Sequence, residues 1–387
     1  MAKNIVVCCD GSGNEFVADN NSNVVKLYST LIINADQRAY YHPGVGTMGA
    51  PTAHGFVEKQ WSRLVGLGFG GGLLDQVGWA YQFLMNAYED GDRIYLFGFS
   101  RGAYTVRAVA GMLHMYGLLC PGNEGLIPYI ARMFAQHTRR HGGMKETFDV
   151  AHEFKQTFSR DCLIHFVGVW DTVSSVGWIY DPLVLPYSAR NPIMITGRHA
   201  VSIDERRCFF LSNLWGRPYG PHEREYRVDQ NIRQVWFAGV HSDVGGSYSE
   251  KESGLSKITL EWMLAEAVTA GLLVDPARAA TVLGKVPGNT YAPPGAAAQI
   301  HNSLQGPWWL LEFLPHRYYD RTSNRTRWRI PLGARRQIPD HSLIHQSVID
   351  RMNSVPDYCP PNLPPEDKGN IEPWNRFPAA IAAGARF

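Results

Sequence analysis

Four short apolar runs along the chain have the pattern of buried β-strands. Each is almost continuous in apolar residues, and each is followed at once by polar or glycine residues. A run of this length is typical of a parallel strand that is buried on both faces of a sheet. The four predicted strands are Asn4 to Cys9, Ile94 to Phe99, Leu163 to Trp170 and Gln234 to Val240.

Helical patterns separate these runs. Apolar residues recur at intervals of three and four between the first two strands, and again after the second strand, where Gly117 suits the end of a helix. A further packed helix is predicted from Leu255 to Ala270. This alternation predicts an α/β fold with a mostly parallel sheet flanked by helices. Such sheets bind ligands beyond the carboxyl ends of their strands.

We divide the chain into a main α/β domain over residues 1–280 and a C-terminal appended lobe over residues 281–387. The boundary lies at the Pro/Gly-rich stretch GKVPGNTYAPPGAAAQ, which follows the last of these helices. Two long insertions in the main domain are candidates for a cap over the ligand site. They are residues 120–161, which have helical patterning, and residues 174–215, which are rich in Pro, Arg and aromatic side chains.

The stretch GFSRG, from Gly98 to Gly102, lies where the second predicted strand gives way to a helix. This is the position of the nucleophile in a G-x-S-x-G elbow, where the serine occupies a strained turn with its hydroxyl exposed. The flanking glycines remove Cβ atoms that would clash with the neighbouring strand and helix. Ser100 is therefore the candidate nucleophile, and a purely structural turn is the alternative.

A serine nucleophile needs a base, and the base needs a carboxylate that orients it. His241 follows the fourth predicted strand and Asp171 follows the third, which gives the chain order Ser, Asp, His of α/β-hydrolases. We therefore predict a triad of Ser100, Asp171 and His241, with a turn or cap role as the alternative for His241. The competing candidates are Asp243 and Asp181 for the acid and His345 for the base.

The anionic intermediate of such a reaction needs backbone donors. The N–H of Arg101, at the start of the helix after Ser100, is one candidate. The glycine-bearing loop DGSGN offers a second donor at Gly11 or Ser12. An ordinary Asx turn is compatible with the same loop residues.

Two other interpretations come from different classes of function. Carboxylate and imidazole groups suit a divalent metal, so Asp10, Asp171, His241 and Asp243 would serve a metal-dependent, phosphoesterase-like hydrolase. That alternative leaves the glycines around Ser100 unexplained, and we expect no metal and no cofactor. The other alternative is a catalytically silent α/β binding module, which the intact serine, aspartate and histidine candidates disfavour.

Overall charge and cysteine content limit the partners and the cellular location that we expect. The 387 residues have a formal net charge of +2 and a pI near 8.2, which gives no global argument for a nucleic-acid partner, and we expect none. Six cysteines without C-x-x-C spacing favour reduced thiols. The N-terminus is too polar for a signal-peptide core, so we expect synthesis in the cytoplasm. Export by a signal-independent route and the oligomeric state are left open.

Two features after residue 300 bear on the substrate. The stretch PWWLLEFLP is aromatic and aliphatic, and residues 316–336 carry seven arginines against one aspartate. Aromatic side chains beside arginines can seat an anionic lipid surface, which predicts a transient membrane contact. The alternative is a hairpin whose arginines pair with the body of the protein.

Six stretches of the chain together resemble a known family. They are VVCCDGSGN, YHPGVGT, DQVGWAYQFLMNAYEDGDRIYLFGFSRGAYTVRAVAGML, FVGVWDTVSSVG, HAVSIDERRCFF and VWFAGVHSDVGGSY, and they span most of residues 5–270. The family is the bacterial and fungal α/β-hydrolases called domain of unknown function 2235, which includes the catalytic domain of the type VI secretion phospholipase effector Tle1. The resemblance implies that residues 1–280 form an α/β-hydrolase catalytic domain with Ser100 as nucleophile. It also implies a serine esterase or lipase that cleaves lipid, phospholipid or small esters through an acyl-enzyme.

Overall fold

One sheet of eight strands forms the centre of the fold. This computed structural model describes residues 2–11, 19–44, 71–136, 144–173, 177–178, 181–182, 185–218, 229–320, 325–365 and 369–377. The strands, in chain order, are β1 (Asn4–Cys9), β2 (Gln37–His42), β3 (Arg93–Phe99), β4 (Leu118–Leu119), β5 (Ser159–Arg160), β6 (Ile164–Trp170), β7 (Gly177–Trp178), β8 (Asp181–Pro182), β9 (Met194–Ser202), β10 (Asn231–Phe237), β11 (His316–Asp320), β12 (Arg325–Arg329), β13 (Leu343–His345) and β14 (Asn370–Glu372). The helices are α1 (Asn23–Thr30), α2 (Gly71–Ala87), α3 (Ser100–Tyr116), α4 (Ile127–Gln136), α5 (Met144–Phe158), α6 (His241–Gly245), α7 (Gly254–Thr269), α8 (Pro276–Val282), α9 (Trp308–Glu312) and α10 (Gln346–Ser354).

The large sheet has the order β14-β13-β10-β9-β6-β3-β1-β2, and each pair of neighbours in it is parallel. The other described strands form three antiparallel pairs, β4–β5, β7–β8 and β11–β12. Because all strands of the large sheet run in one direction, their carboxyl ends lie along one edge. In α/β sheets this is the edge at which ligands bind.

β1 shows how the sheet separates two hydrophobic layers. Successive side chains of a strand point to opposite faces of the sheet. Ile5 and Val7 pack in the core cluster that includes residues of α2 and α3, whereas Val6 and Cys8 pack in the cluster that includes residues of α1 and α7. All four side chains are fully buried, which explains why the strand is apolar on both faces.

Most of the predicted elements are confirmed. The four apolar runs correspond to β1, β3, β6 and β10, and the two helical patterns beside the second run correspond to α2 and α3. Gly117 follows α3 with φ +70°, a conformation that glycine adopts readily at the end of a helix. The predicted helix at Leu255 to Ala270 is α7. The observed architecture is therefore the predicted parallel α/β layer fold.

The prediction that residues 174–215 form a cap is wrong in part, because β9 lies inside the large sheet between β6 and β10. β9 contains Arg198 and His199, so it lacks the continuous apolar pattern of the other central strands. Arg198 donates to Glu266 at 2.5 Å, and His199 Nε2 accepts the N–H of Thr172 at 3.1 Å. These polar contacts satisfy the buried polar side chains of a strand whose sequence lacks a continuous apolar run.

The segment after residue 280 is also not wholly an appended lobe, because β13 and β14 extend the large sheet beside β10. Each of these strands has only three residues, too few for an apolar run to stand out in the sequence. The other insertion, residues 120–161, packs α4 into the core cluster of α2 and α3 through Ile130 and Phe134, and its role as a cap stays a prediction. Among the described helices, none is long and apolar enough to cross a membrane.

Candidate active site

The turn between β3 and α3 places Ser100 at the carboxyl edge of the sheet. Ser100 has φ +57°, a left-handed conformation that is unfavourable for a residue with a Cβ atom and occurs at strained functional turns. A Cβ atom at Gly98 would lie 2.5 Å from the carbonyl oxygen of Gly102, and one at Gly102 would overlap the carbonyl of Cys9 on β1. The two glycines therefore allow α3 to begin directly against the sheet.

Ser100, His241 and Asp171 form one chain of hydrogen bonds. Ser100 Oγ lies 2.8 Å from His241 Nε2, and His241 Nδ1 lies 2.5 Å from Asp171 Oδ2. An ionised carboxylate only accepts, so Nδ1 carries the proton and Nε2 accepts from the serine hydroxyl. All three side chains are buried. The structure thus brings together the three residues that the sequence analysis selected.

Asp171 and His241, the candidate acid and base, are positioned by the ends of their strands. Asp171 follows β6 directly and has φ +38°, a second strained position at the same edge of the sheet. His241 is the first residue of α6 after β10, and its own N–H donates to Glu205 Oε2 at 3.1 Å. The rings of Phe99 and Phe210 lie against the imidazole, with centroid distances of 4.7 and 4.8 Å. Two aromatic rings therefore pack against the imidazole.

Burial and charge set the protonation of the acid and the base. Burial lowers the pKa of His241 below its ordinary value of 6.5, although the hydrogen bond and charge of Asp171 oppose this. Burial alone would raise the pKa of Asp171, but the charge of Arg336 and the hydrogen bond from His241 hold it well below its ordinary range. At neutral pH Asp171 is therefore ionised and the imidazole of His241 is neutral, which is the protonation that a general base requires.

Two residues that contact this chain of hydrogen bonds were not predicted from the sequence. Arg336 donates to both carboxylate oxygens of Asp171. Glu205 accepts the His241 N–H and forms a two-point ion pair with Arg207, with both distances 2.9 Å. Glu205 lies in the stretch HAVSIDERRCFF, so the family resemblance was a usable signal for it. Arg336 had no signal beyond the local abundance of arginine.

The predicted oxyanion donors differ in their surroundings. The N–H of Arg101 lies in the first turn of α3, where backbone amides have no acceptor within the helix. The N–H of Gly11 donates to the carboxylate of Asp10 at 2.6 Å, so a role as an oxyanion donor would require that bond to break. Ser12 lies outside the described residues. Arg101 is thus the better supported of the candidate donors.

The alternative acids and base have other surroundings. Asp243 lies 2.6 Å from His301 Nδ1. His345 caps the start of α10 with its own side chain. The side chain of Asp181 lies outside the described part of the chain. Among the described candidates for the acid, the carboxylate that contacts the imidazole of His241 is that of Asp171, the first choice from the sequence.

The four ligands of the metal alternative do not converge on one point. Asp10 accepts from two hydroxyl groups on neighbouring elements, whereas Asp171 faces His241 and Asp243 faces His301. Within the residues that the structure describes, no group of three or more His, Cys, Asp or Glu side chains is arranged to hold a metal ion. The arrangement therefore gives no support to that alternative.

An apolar surface leads from the imidazole toward the exterior. The ring of Phe210 lies 4.8 Å from that of His241 and 5.5 Å from that of Trp308, the first residue of α9. The side chains beyond Trp308 are large, apolar and exposed, and we call them the α9 patch: Trp309, Leu310, Phe313 and Leu314. Exposed clusters of this kind often mark binding surfaces.

α9 is attached to the protein by a buried carboxylate. Glu312 accepts the N–H of Cys208 at 2.6 Å and that of Gly333 at 2.9 Å. The guanidinium of Arg207 lies 3.7 Å from the ring centre of Phe210 and 5.0 Å from that of Trp308. The α9 patch is therefore presented by a helix with defined anchoring contacts and by the two residues that follow that helix.

The arginines of residues 316–336 whose side chains are described differ in exposure. Arg327 and Arg329 on β12 are exposed. Arg335 lies 3.0 Å from Asp204, and Arg336 is buried 2.6 Å from Asp171. These two ion pairs join the segment after β12 to the body of the protein, and whether the arginines of the hairpin itself pair with the body stays a prediction.

The chain is similar to known proteins over most of its length. Residues 3–266 match the family model of the type VI secretion system phospholipase effector Tle1-like catalytic domain. An uncharacterised protein of Saccharomyces cerevisiae is 38% identical over 71% of this chain and 58% of the relative. The chain therefore spans just over half the length of this curated relative.

Two solved structures are also similar to the chain. An uncharacterised protein from Pseudomonas aeruginosa is 21% identical, with a TM-score of 0.42, and the match covers 72% of this chain and 47% of that one. The Tle1 effector bound to the VgrG spike of the type 6 secretion system is 17% identical, with a TM-score of 0.33, and the match covers 66% of this chain and 52% of that one. The chain spans about half of each of these proteins.

Proposed function

We propose that this chain, which belongs to the family of type VI secretion phospholipase effector Tle1-like catalytic domains, is a serine hydrolase of lipid esters. The observation that carries the proposal is the hydrogen-bonded chain from Ser100 Oγ through His241 to Asp171, with distances of 2.8 and 2.5 Å. The family supports a lipid ester as substrate. The strained turn supports Ser100 as the nucleophile.

The first half of the proposed reaction forms an acyl-enzyme. As Ser100 Oγ attacks the carbonyl carbon of the ester, its proton passes to His241 Nε2, and Asp171 stabilises the imidazolium through the Nδ1–H bond. The tetrahedral intermediate then collapses and expels the alcohol part of the lipid, which takes the proton from His241. The acyl group remains as an ester on Ser100.

The second half releases the fatty acid. Water takes the place of the alcohol, loses a proton to His241 and attacks the acyl carbonyl carbon. Collapse of the second intermediate breaks the bond to Ser100 Oγ and returns the proton to it. In both halves the N–H of Arg101 donates to the oxyanion, because the first turn of a helix carries free amides and partial positive charge.

We further propose that the protein contacts an anionic lipid surface through the α9 patch and the exposed arginines of β12. Leu310 and Phe313 are 67% and 59% exposed. Apolar side chains of this size insert between headgroups and acyl chains, and each nearby arginine adds roughly 1 kcal/mol of attraction to anionic lipid. Since Trp308 and Phe210 connect the patch to His241, a lipid bound there would be held next to the triad. Synthesis in the cytoplasm and signal-independent export stay predictions.

Labelling with a fluorophosphonate, which reacts with activated serines, tests the proposal in the full chain. We expect wild type to be labelled and to release fatty acid from phospholipids or short esters, and we expect Ser100→Ala to do neither. EDTA is expected to change neither result. Equal fatty-acid release by the two proteins would overturn the proposal. Loss of turnover in EDTA that a divalent metal restores would favour the metal-dependent alternative.

A further inference from the structure

Arg336 connects the C-terminal part of the chain to Asp171. It lies between β12 and β13, and its side chain is 3% exposed. Nη1 donates to Asp171 Oδ1 at 2.6 Å, and Nη2 donates to Oδ2 at 3.1 Å. Two parallel bonds from the planar guanidinium fix the orientation of a carboxylate as well as balancing its charge.

The remaining donors of Arg336 bind segments that surround the triad. Nε donates to the carbonyl oxygen of Phe210 at 3.1 Å, Nη2 donates to the same oxygen, and Nη1 donates to Ser202 Oγ at 2.7 Å. The ring of Phe210 packs on His241. Arg336 therefore holds the carboxylate of the acid and also the segment whose aromatic ring lies against the base.

Both oxygens of the Asp171 carboxylate are fixed. Oδ1 accepts from Arg336 and from the N–H of Ser202 at 2.9 Å. Oδ2 accepts from Arg336 and from His241 Nδ1. Rotation of the carboxylate would break several of these bonds at once. The orientation of the acid toward the base is thus set by contacts that include a residue 165 positions away.

We infer that Arg336 is a positioning residue for the proposed reaction: it fixes the Asp171 carboxylate so that Oδ2 receives the Nδ1–H of His241. The inference rests on the proposed function, because the orientation of the acid matters only if Ser100 reacts through His241. It gives a role in the active site to a residue beyond the family match, which ends at residue 266. Arg336 acts through Asp171 rather than on a reacting atom.

Because Arg336 is charged, its removal should change the pH dependence of the activity. Burial would raise the pKa of Asp171 if the arginine were absent. The negative charge of Asp171 would also be less compensated, so it would stabilise the imidazolium and raise the pKa of His241. Both changes move the loss of activity at acidic pH to higher pH. Among the described residues, the other titratable groups whose charges act on this pair include His199, Glu205 and Arg207.

The test compares Arg336→Gln and Arg336→Lys in the full chain. It measures kcat and KM for a short soluble ester, and the rate of fluorophosphonate labelling, from acidic to neutral pH. For Arg336→Gln we expect kcat to fall about 100-fold with KM nearly unchanged, because a small misplacement of a reacting group costs about that much. We also expect the acidic limb of kcat/KM to move to higher pH. Arg336→Lys keeps the positive charge but lacks the paired donors of the guanidinium. The acidic limb of kcat/KM should therefore return toward that of wild type, while kcat recovers only in part.

Arg351 offers a matched control in the same part of the chain. It is buried, and its Nη1 donates to the carbonyl oxygens of Ala296 and Ala298 at 2.7 and 2.5 Å. Arg351→Gln should lower stability without moving the acidic limb. An unshifted limb in Arg336→Gln, an equal shift in both glutamine variants, or failure of both Arg336 variants to fold would overturn the inference. Absence of Ser100 labelling in wild type would instead contradict the proposed function.

Discussion

The residues inside the family match and the residues beyond it contribute to the site in different ways. Residues 3–266 supply Ser100, Asp171 and His241, each placed directly after or shortly after a parallel strand. The residues that follow supply supporting contacts. Arg336 donates to Asp171, and Ser303 Oγ donates to Glu205 at 2.9 Å.

This comparison separates two kinds of residue in the site: those whose placement depends on local sequence and those whose placement depends on tertiary contacts. The proposed reacting groups occupy backbone positions that local sequence determines, such as the positive φ angles of Ser100 and Asp171. The supporting groups reach the site with side chains from distant parts of the chain, and they depend on the tertiary fold. The part of the chain beyond the family match is therefore expected to tune the chemistry without taking part in bond making.

The largest effect should come from the reacting groups. Ser100→Ala and His241→Ala should each lower kcat for a soluble ester about 10⁵-fold, because the nucleophile and the base act as one unit. Steady-state kinetics on folded protein, with circular dichroism to verify the fold, provides the measurement. If kcat fell much less in one variant than in the other, Ser100 and His241 would not act together.

The next effect separates the two aspartates. Asp171→Asn should lower kcat about 10³- to 10⁴-fold, because an amide no longer holds the proton on Nδ1 or stabilises the imidazolium. Asp243→Asn is the matched control, since that side chain contacts His301 and the N–H of Val240 rather than the imidazole of His241, and its kcat should fall far less than that of Asp171→Asn. If the Asp243 variant alone is crippled, the assignment of the acid is wrong.

The pH dependence should show a smaller and graded effect. Only the neutral imidazole accepts the serine proton, so kcat/KM should fall about tenfold per pH unit below the pKa of His241. Burial lowers that pKa, so the inflection should lie below pH 6.5. A pH–rate profile for the soluble ester measures it. An inflection well above neutral pH would contradict the described surroundings of the histidine.

The smallest effect should come from the α9 patch and should depend on the form of the substrate. Replacing Leu310 and Phe313 by Ser should slow hydrolysis of anionic phosphatidylglycerol vesicles about three- to tenfold, because each large side chain loses part of the roughly 1.5 to 3 kcal/mol of its burial. Hydrolysis of a short soluble ester should barely change.

Ile33→Ser is the matched control for the α9 patch. Ile33 is 56% exposed and precedes β2, so it lies at the amino edge of the sheet, opposite the triad. It should leave both rates unchanged. Equal losses on vesicles and on soluble ester in the α9 variant would show that the patch only supports the fold. An unchanged rate on vesicles would remove the proposed lipid contact.

The strands, and the proximity of Ser100, Asp171 and His241, could be predicted because their signals are local. The apolar runs marked four central strands, and the polar residue at the end of each run marked the candidate chemistry. β9 was missed because Arg198 and His199 interrupt its apolar pattern, and their burial depends on partners such as Glu266. β13 and β14 were missed because three residues are too few to form a pattern.

The supporting residues could not be predicted because their signals are not local. Seven arginines lie between residues 316 and 336, and nothing in that run distinguishes Arg336, which is buried against Asp171, from Arg329, which is exposed. Glu205 lay inside a stretch that resembles the family, but its contact with the His241 N–H depends on how two loops meet. Such contacts become visible only when the chain is folded.

The most direct test of the central claim is to trap the acyl-enzyme itself. The full chain is mixed with a slowly deacylating ester, quenched in acid, digested and analysed by peptide mass spectrometry. We expect one acyl group on Ser100 in wild type and none in Ser100→Ala. An acyl group on another residue, or rapid hydrolysis of the ester by Ser100→Ala, would contradict the proposal that Ser100 is the nucleophile.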